Sequence, residues 1–284
     1  MSKSVAYLGP PGTFSEEAAL AYIRRNGAPE AAELLPYPTI TAVARAVQNG
    51  AVAEGVVPIE NSLEGSVAET LDLLLGAETA LHIRAEIVLP VVHLLLVKPG
   101  TQREEVRTVF SHPQALGQCR RYLDEHFPSA GVVPTTSTAA AVAEMMGFPL
   151  PAAAIANRRA ADLYGAAVLA DGIQDHPANE TRFVVLATED HAPTGHDKTS
   201  LAFTFDEDRP GLLVSVLREF ADRQINLAKV ESRPMKAALG RYYFLMDLEG
   251  HRLSPPVAAA LESIARHSAQ LKVFGSYPQH AAPL

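Results

Sequence analysis

The sequence predicts an α/β protein in two parts, and three observations predict it. From residue 1 to about 190 one unit recurs, a short β-branched run, a polar loop and then a helix-like stretch. Strands alternating with helices indicate a mostly parallel sheet covered on both faces. At 189–198 this rhythm breaks in EDHAPTGHDK, a polar segment with Pro193 and Gly195 that reads as a linker centred on 191–198. Beyond it, residues 199–278 follow the order β-α-β-β-α-β, the ferredoxin-like motif.

The units follow one another along the chain. SVAYLG leads through PPGTFS to EEAALAYIRR, and GVVPIE leads through NSLEGS to VAETLDLLL. VRTVF leads through SHPQ to ALGQCRRYLDEHF, AGVVPT through TST to AAAVAEMM, and PAAAIA through NRR to AADLYG. In the tail, TSLAFTF (199–205) reads as a strand, DEDRPG as a turn and LLVSVLREFADR (212–223) as an amphipathic helix. INLAKVESRP is then a strand ending in a turn, RYYFLMDLEG (241–250) a strand, PPVAAALESIARHSA (255–269) a helix and LKVFGSYP the last strand.

The junctions carry the chemistry. Thr13 or Ser15, Ser62 or Ser66, Ser111 and Ser137 or Thr138 stand where helices begin. Each can cap a helix by accepting an orphan backbone N–H. Together they lie beyond the carboxyl ends of strands, where open α/β sheets bind ligands, and several helix N-termini can hold a multiply anionic ligand. GPPGTFS contains neither G-x-x-x-x-G-K-[ST] nor G-x-G-x-x-G, so carboxylate recognition is expected rather than nucleotide phosphate.

Composition narrows the class. A chain of 284 residues suits about two domains. A net charge of −8 without a basic run argues against nucleic-acid binding. The single Cys119 excludes an intrachain disulfide and fits a reducing cytoplasm. MSKSVAYLGPPG has no long apolar stretch before its Gly-Pro turn, so no signal peptide is expected. IVLPVVHLLLV, 87–97, is too short for a membrane span and holds Pro90 and His93.

One stretch stands apart. In ANETRFVVL, 178–186, four polar residues run straight into an apolar strand. TRF at 181–183, inside GIQDHPANETRFVVL, resembles the signature of prephenate dehydratases. GPPGTFSEEAA, VVPIENSLEGSV, SHPQALGQC and IANRRAADLYG resemble that family's other blocks in the same order, and the tail, with ESRP at 231–234, resembles its regulatory ACT domain. The resemblance covers Val5 to about Pro278.

It implies a two-lobed, periplasmic-binding-protein-like catalytic domain over 1–190, with one lobe at roughly 1–78 and 175–190 and the other at 79–174, followed by a ferredoxin-like ACT domain over 199–278. It implies decarboxylating dehydration of prephenate to phenylpyruvate, on the way to phenylalanine, without metal or organic cofactor. The scattered histidines, His112 among them, lack metal-ligand spacing, and His112 is expected to orient the SHPQ turn. The chain starts at the first catalytic-type strand, so a monofunctional enzyme is expected.

Prephenate presents two carboxylates and a ring hydroxyl that leaves as water. The protein must hold the anions, aim a neutral donor at the departing oxygen and keep the lost carboxylate poorly solvated. The family's essential threonine maps to Thr181, whose hydroxyl is too weak an acid to ionise near neutrality and so serves as a hydrogen-bond donor or relay. In a regular strand Thr181 and Phe183 share one face while Glu180 and Arg182 share the other. Thr181 and Arg182 are therefore not both expected in the cleft, and a Glu180–Arg182 contact is the alternative for the arginine. Thr13, Asn61, Ser62, Ser111, Gln114, Thr138, Arg182 and Phe183 complete the candidates for substrate contact.

The ACT resemblance implies homodimers or homotetramers whose paired ACT domains bind phenylalanine as an inhibitor and close the cleft. Gly211, Leu212, Leu213, Asn226, Glu231, Ser232 and Arg233 are its candidate contacts. The family's GALV block reads Gly211-Leu212-Leu213-Val214 here, and the larger Leu212 puts pocket size in question. Arogenate dehydratase and a non-catalytic amino-acid-sensing protein are the competing readings, the latter because fold alone does not specify function.

Overall fold

The computed structural model describes residues 4–27, 32–207, 209–235 and 240–280. The first lobe runs β1 (Ser4–Leu8), α1 (Phe14–Arg25), β2 (Glu33–Tyr37), α2 (Ile40–Gln48), β3 (Glu54–Asn61), β4 (Gly65–Ser66), α3 (Ala68–Leu75) and β5 (His82–Pro90). The second runs β6 (Leu94–Val97), β7 (Thr108–Ser111), α4 (Pro113–Gln118), α5 (Arg120–His126), β8 (Gly131–Pro134), α6 (Thr138–Gly147), β9 (Ala153–Ala156), α7 (Arg158–Tyr164) and β10 (Ala167–Ala170). The chain then returns to the first lobe as β11 (Glu180–Ala187).

The first sheet has the order β2-β1-β3-β11-β5, with β4 on β3, and the second β10-β6-β9-β7-β8. Both are mixed rather than mostly parallel. β1 lies parallel to β2 and β3, but β11 is antiparallel to both of its neighbours. The expected boundary between lobes at residue 79 is corrected by β5, which pairs along β11 from Glu180↔Pro90 to Ala187↔His82 and so belongs to the first lobe. The chain crosses between lobes just after Pro90 and returns just before Glu180.

The single helix expected over 115–127 is two, α4 and α5, meeting at Cys119. There the Gln118 carbonyl accepts from the Asp175 N–H at 2.7 Å, and the Arg121 N–H donates to the Asp175 carboxylate at 3.2 Å. The return segment thus fastens itself to the break. Two elements not expected from sequence, β2 and α2, complete the edge of the first lobe.

The C-terminal domain follows the expected order, β12 (Asp197–Thr204), α8 (Leu212–Ala221), β13 (Leu227–Pro234), β14 (Tyr242–Glu249), α9 (Pro255–His267) and β15 (Gln270–Pro278), in a sheet ordered β13-β14-β12-β15. Of the turn expected at DEDRPG, Asp208 lies outside the described residues.

Period-2 alternation gives each strand two faces, and that determines how the domains meet. On the first sheet, Tyr7, Phe183 and Val185 pack against Ala18, Ala19 and Tyr22 of α1. The opposite face, with Val57, Val184 and Leu186, packs on α2 and α3 and also on Ala202, Leu245, Phe274 and Tyr277 of the C-terminal sheet. The other face of the C-terminal sheet, Leu201, Phe203, Met246 and Leu248, is covered by Val216 and Phe220 of α8 and Ile264 of α9. Contact at β15 is so close that a Cβ built on Gly275 would stand 2.2 Å from the Ile83 carbonyl oxygen, which only glycine permits.

Candidate active site

Between the lobes lies a cavity of about 110 Å³. The first lobe contributes Phe14, Asn61 and Thr181, the crossing segment Val91 and His93, and the second lobe His112, Gln114, Ala115, Gln118 and Thr138. Each side chain arrives from an element end. Asn61 closes β3, Thr181 opens β11 opposite it in register, Gln114 and Gln118 are four residues apart on α4, and Thr138 begins α6. Apart from the two histidines, no ionisable side chain among the described residues lines this cavity. Hydrogen bonds and helix N-termini are therefore its means of handling charge.

Four of the nine residues expected at the catalytic site meet here: Thr181, Asn61, Gln114 and Thr138. The other five are placed elsewhere, each for a physical reason. Thr13 caps α1; its Oγ1 accepts from the Glu16 N–H and donates to the Pro10 carbonyl. Ser62 donates to Asn179 Oδ1 at 3.2 Å and accepts from the Glu180 N–H at 3.0 Å, holding the entry to β11. Ser111 is fully buried and its hydroxyl donates to the Ile155 carbonyl at 2.7 Å, tying β7 to β9.

Phe183 is 2% exposed within the α1-facing core, so it lies under the sheet surface rather than along the cavity. Arg182 is corrected most sharply, because it emerges on the far face of β11. Its guanidinium bonds Glu86 at 2.7 Å, Asp247 at 2.5 Å and the Tyr277 hydroxyl at 2.6 Å and lies 3.5 Å from Glu60; among the described residues it neither borders the cavity nor pairs with Glu180. His112 caps α4, its Nδ1 accepting from the Gln114 N–H at 3.3 Å, while also bordering the cavity.

Gln118, His93 and Asn179 were not singled out by sequence. Gln118 had a legible signal, since it follows Gln114 by one helical turn. His93 sat in an apolar run, and Asn179 stood in the polar cluster without a role. Asn179 is 1% exposed; its Oδ1 accepts from Asn61 Nδ2 at 2.9 Å and its Nδ2 donates to Gln118 Oε1 at 3.3 Å, bridging the lobes. A second bridge is the Arg159–Glu16 pair between α7 and α1, with contacts of 3.0 and 2.8 Å. Burial opposes ionisation of Glu16, but the Arg159 guanidinium and the Gly12 N–H outweigh it and hold the carboxyl below its usual range. Burial pushes the His93 imidazole down and keeps it neutral, a bond to Gln118 offsetting only part of this.

The expected regulatory residues fall into two groups. Gly211, Leu212 and Leu213 line a cavity of about 310 Å³ with Phe205, Tyr242 and Phe244. Glu231 and Arg233 instead face the first lobe, where Ser66 Oγ donates to Glu231 at 2.6 Å and Arg233 donates to Asp72 at 2.8 Å. Ser232 is exposed on edge strand β13, and Asn226 donates to Glu249 at 2.9 Å; within one chain neither borders that cavity.

The prephenate dehydratase family model matches residues 5–191, and the ACT domain model matches residues 207–266. A prephenate dehydratase of Mycolicibacterium vanbaalenii is 42% identical, covering 96% of this chain and 90% of its own length. A bifunctional chorismate mutase/prephenate dehydratase of Stutzerimonas stutzeri is 40% identical over 97% of this chain and 73% of its own. The crystal structure of an Arthrobacter aurescens prephenate dehydratase in complex with L-Phe superposes with a TM-score of 0.86, at 36% identity, covering 99% of this chain and 92% of that one. A cleft of uncharged donors between two lobes and an ACT domain against the first lobe thus agree with sequence likeness along nearly the whole chain, and the chain belongs to the prephenate dehydratase family.

Proposed function

We infer that this protein converts prephenate to phenylpyruvate, carbon dioxide and water, with Thr181 assisting departure of the ring hydroxyl. One relationship carries the reading. Thr181 Oγ1 accepts from Asn61 Nδ2 at 2.9 Å. With that lone pair engaged, the threonine's own proton is left to donate to a ligand in the cavity. A preorganised neutral donor of this kind costs no reorganisation as charge develops on the leaving oxygen. Gln114 and Thr138, at the starts of α4 and α6, suit the carboxylates.

Phenylalanine as effector, ACT-mediated homo-oligomers and a cytoplasmic site of action belong to the same reading. Edge strand β13, with Val230 49% exposed, supports pairing through the ACT sheet. Among the described residues no helix is long and apolar enough to cross a membrane. Incubating the purified protein separately with prephenate and arogenate, with and without phenylalanine, tests all of this. Phenylpyruvate from prephenate, suppressed by phenylalanine, is the expected outcome. Faster release of phenylalanine from arogenate would reassign the substrate, and no turnover of either would leave a binding protein.

A further inference from the structure

Hydrogen-bond polarity runs through the cavity in one direction, and backbone donors set it. The N–H groups of Leu63 and Glu64 donate to one oxygen, Asn61 Oδ1, at 3.0 and 3.1 Å. Backbone N–H groups can only donate, so the amide of Asn61 has a single orientation, with its Nδ2 toward Thr181, Asn179 and the Glu180 carbonyl. Asn179 must then present Oδ1 to Asn61 and Nδ2 to Gln118. Gln118 in turn presents Oε1, and this same oxygen lies 2.9 Å from His93 Nε2. An acceptor there requires the proton on Nε2, which makes Nδ1 of the neutral ring a bare lone pair.

Among the described residues that Nδ1 has no hydrogen-bond partner, although His93 is only 2% exposed and borders the cavity. An unpaired buried acceptor is costly. Four nearby acceptors are already engaged. Asn61 Oδ1, Gln118 Oε1, Thr181 Oγ1 and His112 Nδ1 each receive at least one donor. Dianionic prephenate carries carboxylate and keto oxygens, all acceptors, and just one donor, its ring hydroxyl.

We propose that His93 is a substrate-binding residue whose Nδ1 accepts the hydrogen bond of the ring hydroxyl while Thr181 donates to the same oxygen. The inference rests on the dehydratase reading above. Held between a donor and an acceptor, the hydroxyl turns its hydrogen toward His93 and a lone pair toward Thr181, so the leaving group is aligned before its bond to carbon breaks. Sites built to pair a substrate hydroxyl discriminate strongly against analogues that lack it.

Two substitutions separate this role from packing. His93→Gln places an amide nitrogen near the position of Nε2, keeping the donor to Gln118 but leaving nothing at Nδ1. His93→Asn places an amide oxygen near Nδ1. The expected result is a fall of about tenfold or more in kcat/KM for prephenate in His93→Gln, with a smaller fall in His93→Asn. Inhibition by phenylpyruvate, which lacks the ring hydroxyl, should stay unchanged in both. Wild-type kcat/KM in His93→Gln, or equal weakening of prephenate and phenylpyruvate, would overturn the proposal, as would His93→Asn faring no better than His93→Gln. If the variants do not fold, the histidine ring nitrogens of 15N-labelled Thr181→Ala protein give the same answer. Prephenate should shift the Nδ1 signal of His93 and phenylpyruvate should not; an Nδ1 signal blind to prephenate overturns the assignment. Turnover of prephenate by the unmodified protein tests the dehydratase reading separately.

Discussion

Thr181 and Arg182 are consecutive residues whose side chains leave β11 on opposite faces. Thr181 borders the interlobe cavity, and Arg182 reaches Asp247 of the ACT sheet at 2.5 Å. Arg182 thus ties the ACT sheet to the residue adjacent in sequence to the proposed hydrogen-bond donor.

Thr181→Ala should leave the fold intact and lower kcat roughly a hundredfold or more, as loss of one positioned donor does. Thr181→Ser, which keeps the hydroxyl, should retain much of the activity. Steady-state kinetics with prephenate checks both, and near-normal turnover in the alanine variant would remove the assigned role.

Arg182→Ala should be costly in stability rather than in substrate binding. Glu86 and Asp247 would lose their guanidinium partner, with side chains only 1% and 9% exposed. Removing one member of a buried ion pair costs about 3–5 kcal/mol. Urea denaturation measures this, and KM for prephenate should change little in whatever folded fraction remains.

Arg233→Ala should weaken the response to phenylalanine with little effect on uninhibited turnover. Arg233 joins β13 to Asp72 on α3, so it connects the ACT domain with the first lobe at a distance from the cavity. Inhibition curves compare the two proteins, and an unchanged midpoint would exclude this contact from regulation.

Acid should destabilise the protein in two stages. His93 has a folded pKa below its unfolded value because it is buried. The neutral ring's stability is complete above about pH 6.5 and is lost as pH falls toward the lowered folded value. Asp247 is likewise lowered; burial opposes its ionisation, but Arg182 and Ser200 outweigh that. Its contribution is present above about pH 4 and disappears as pH drops through the depressed pKa. Thermal unfolding against pH should therefore bend below about pH 6.5 and again near pH 4, and His93→Gln should weaken the first bend, with His280, also lowered by burial, supplying what remains.

Sequence alone determined the alternation of strands and helices, the order of the ACT elements and the opposed faces of Thr181 and Arg182, because periodicity and turn chemistry are local. It also singled out Thr181, Asn61, Gln114 and Thr138, which stand at element ends where side chains are displayed. Tertiary structure decided the rest. Ser111 reads like Thr138 in the sequence, yet its hydroxyl is taken by Ile155 across a strand pairing that no local pattern encodes. Arg182 is held by Glu86, Asp247 and Tyr277, residues up to 96 positions away, and His93 gains its neighbours Gln118 and Phe14 only when the lobes meet. A hydrogen bond depends on where two atoms end up, and for partners brought together from distant segments only the packed fold sets that distance.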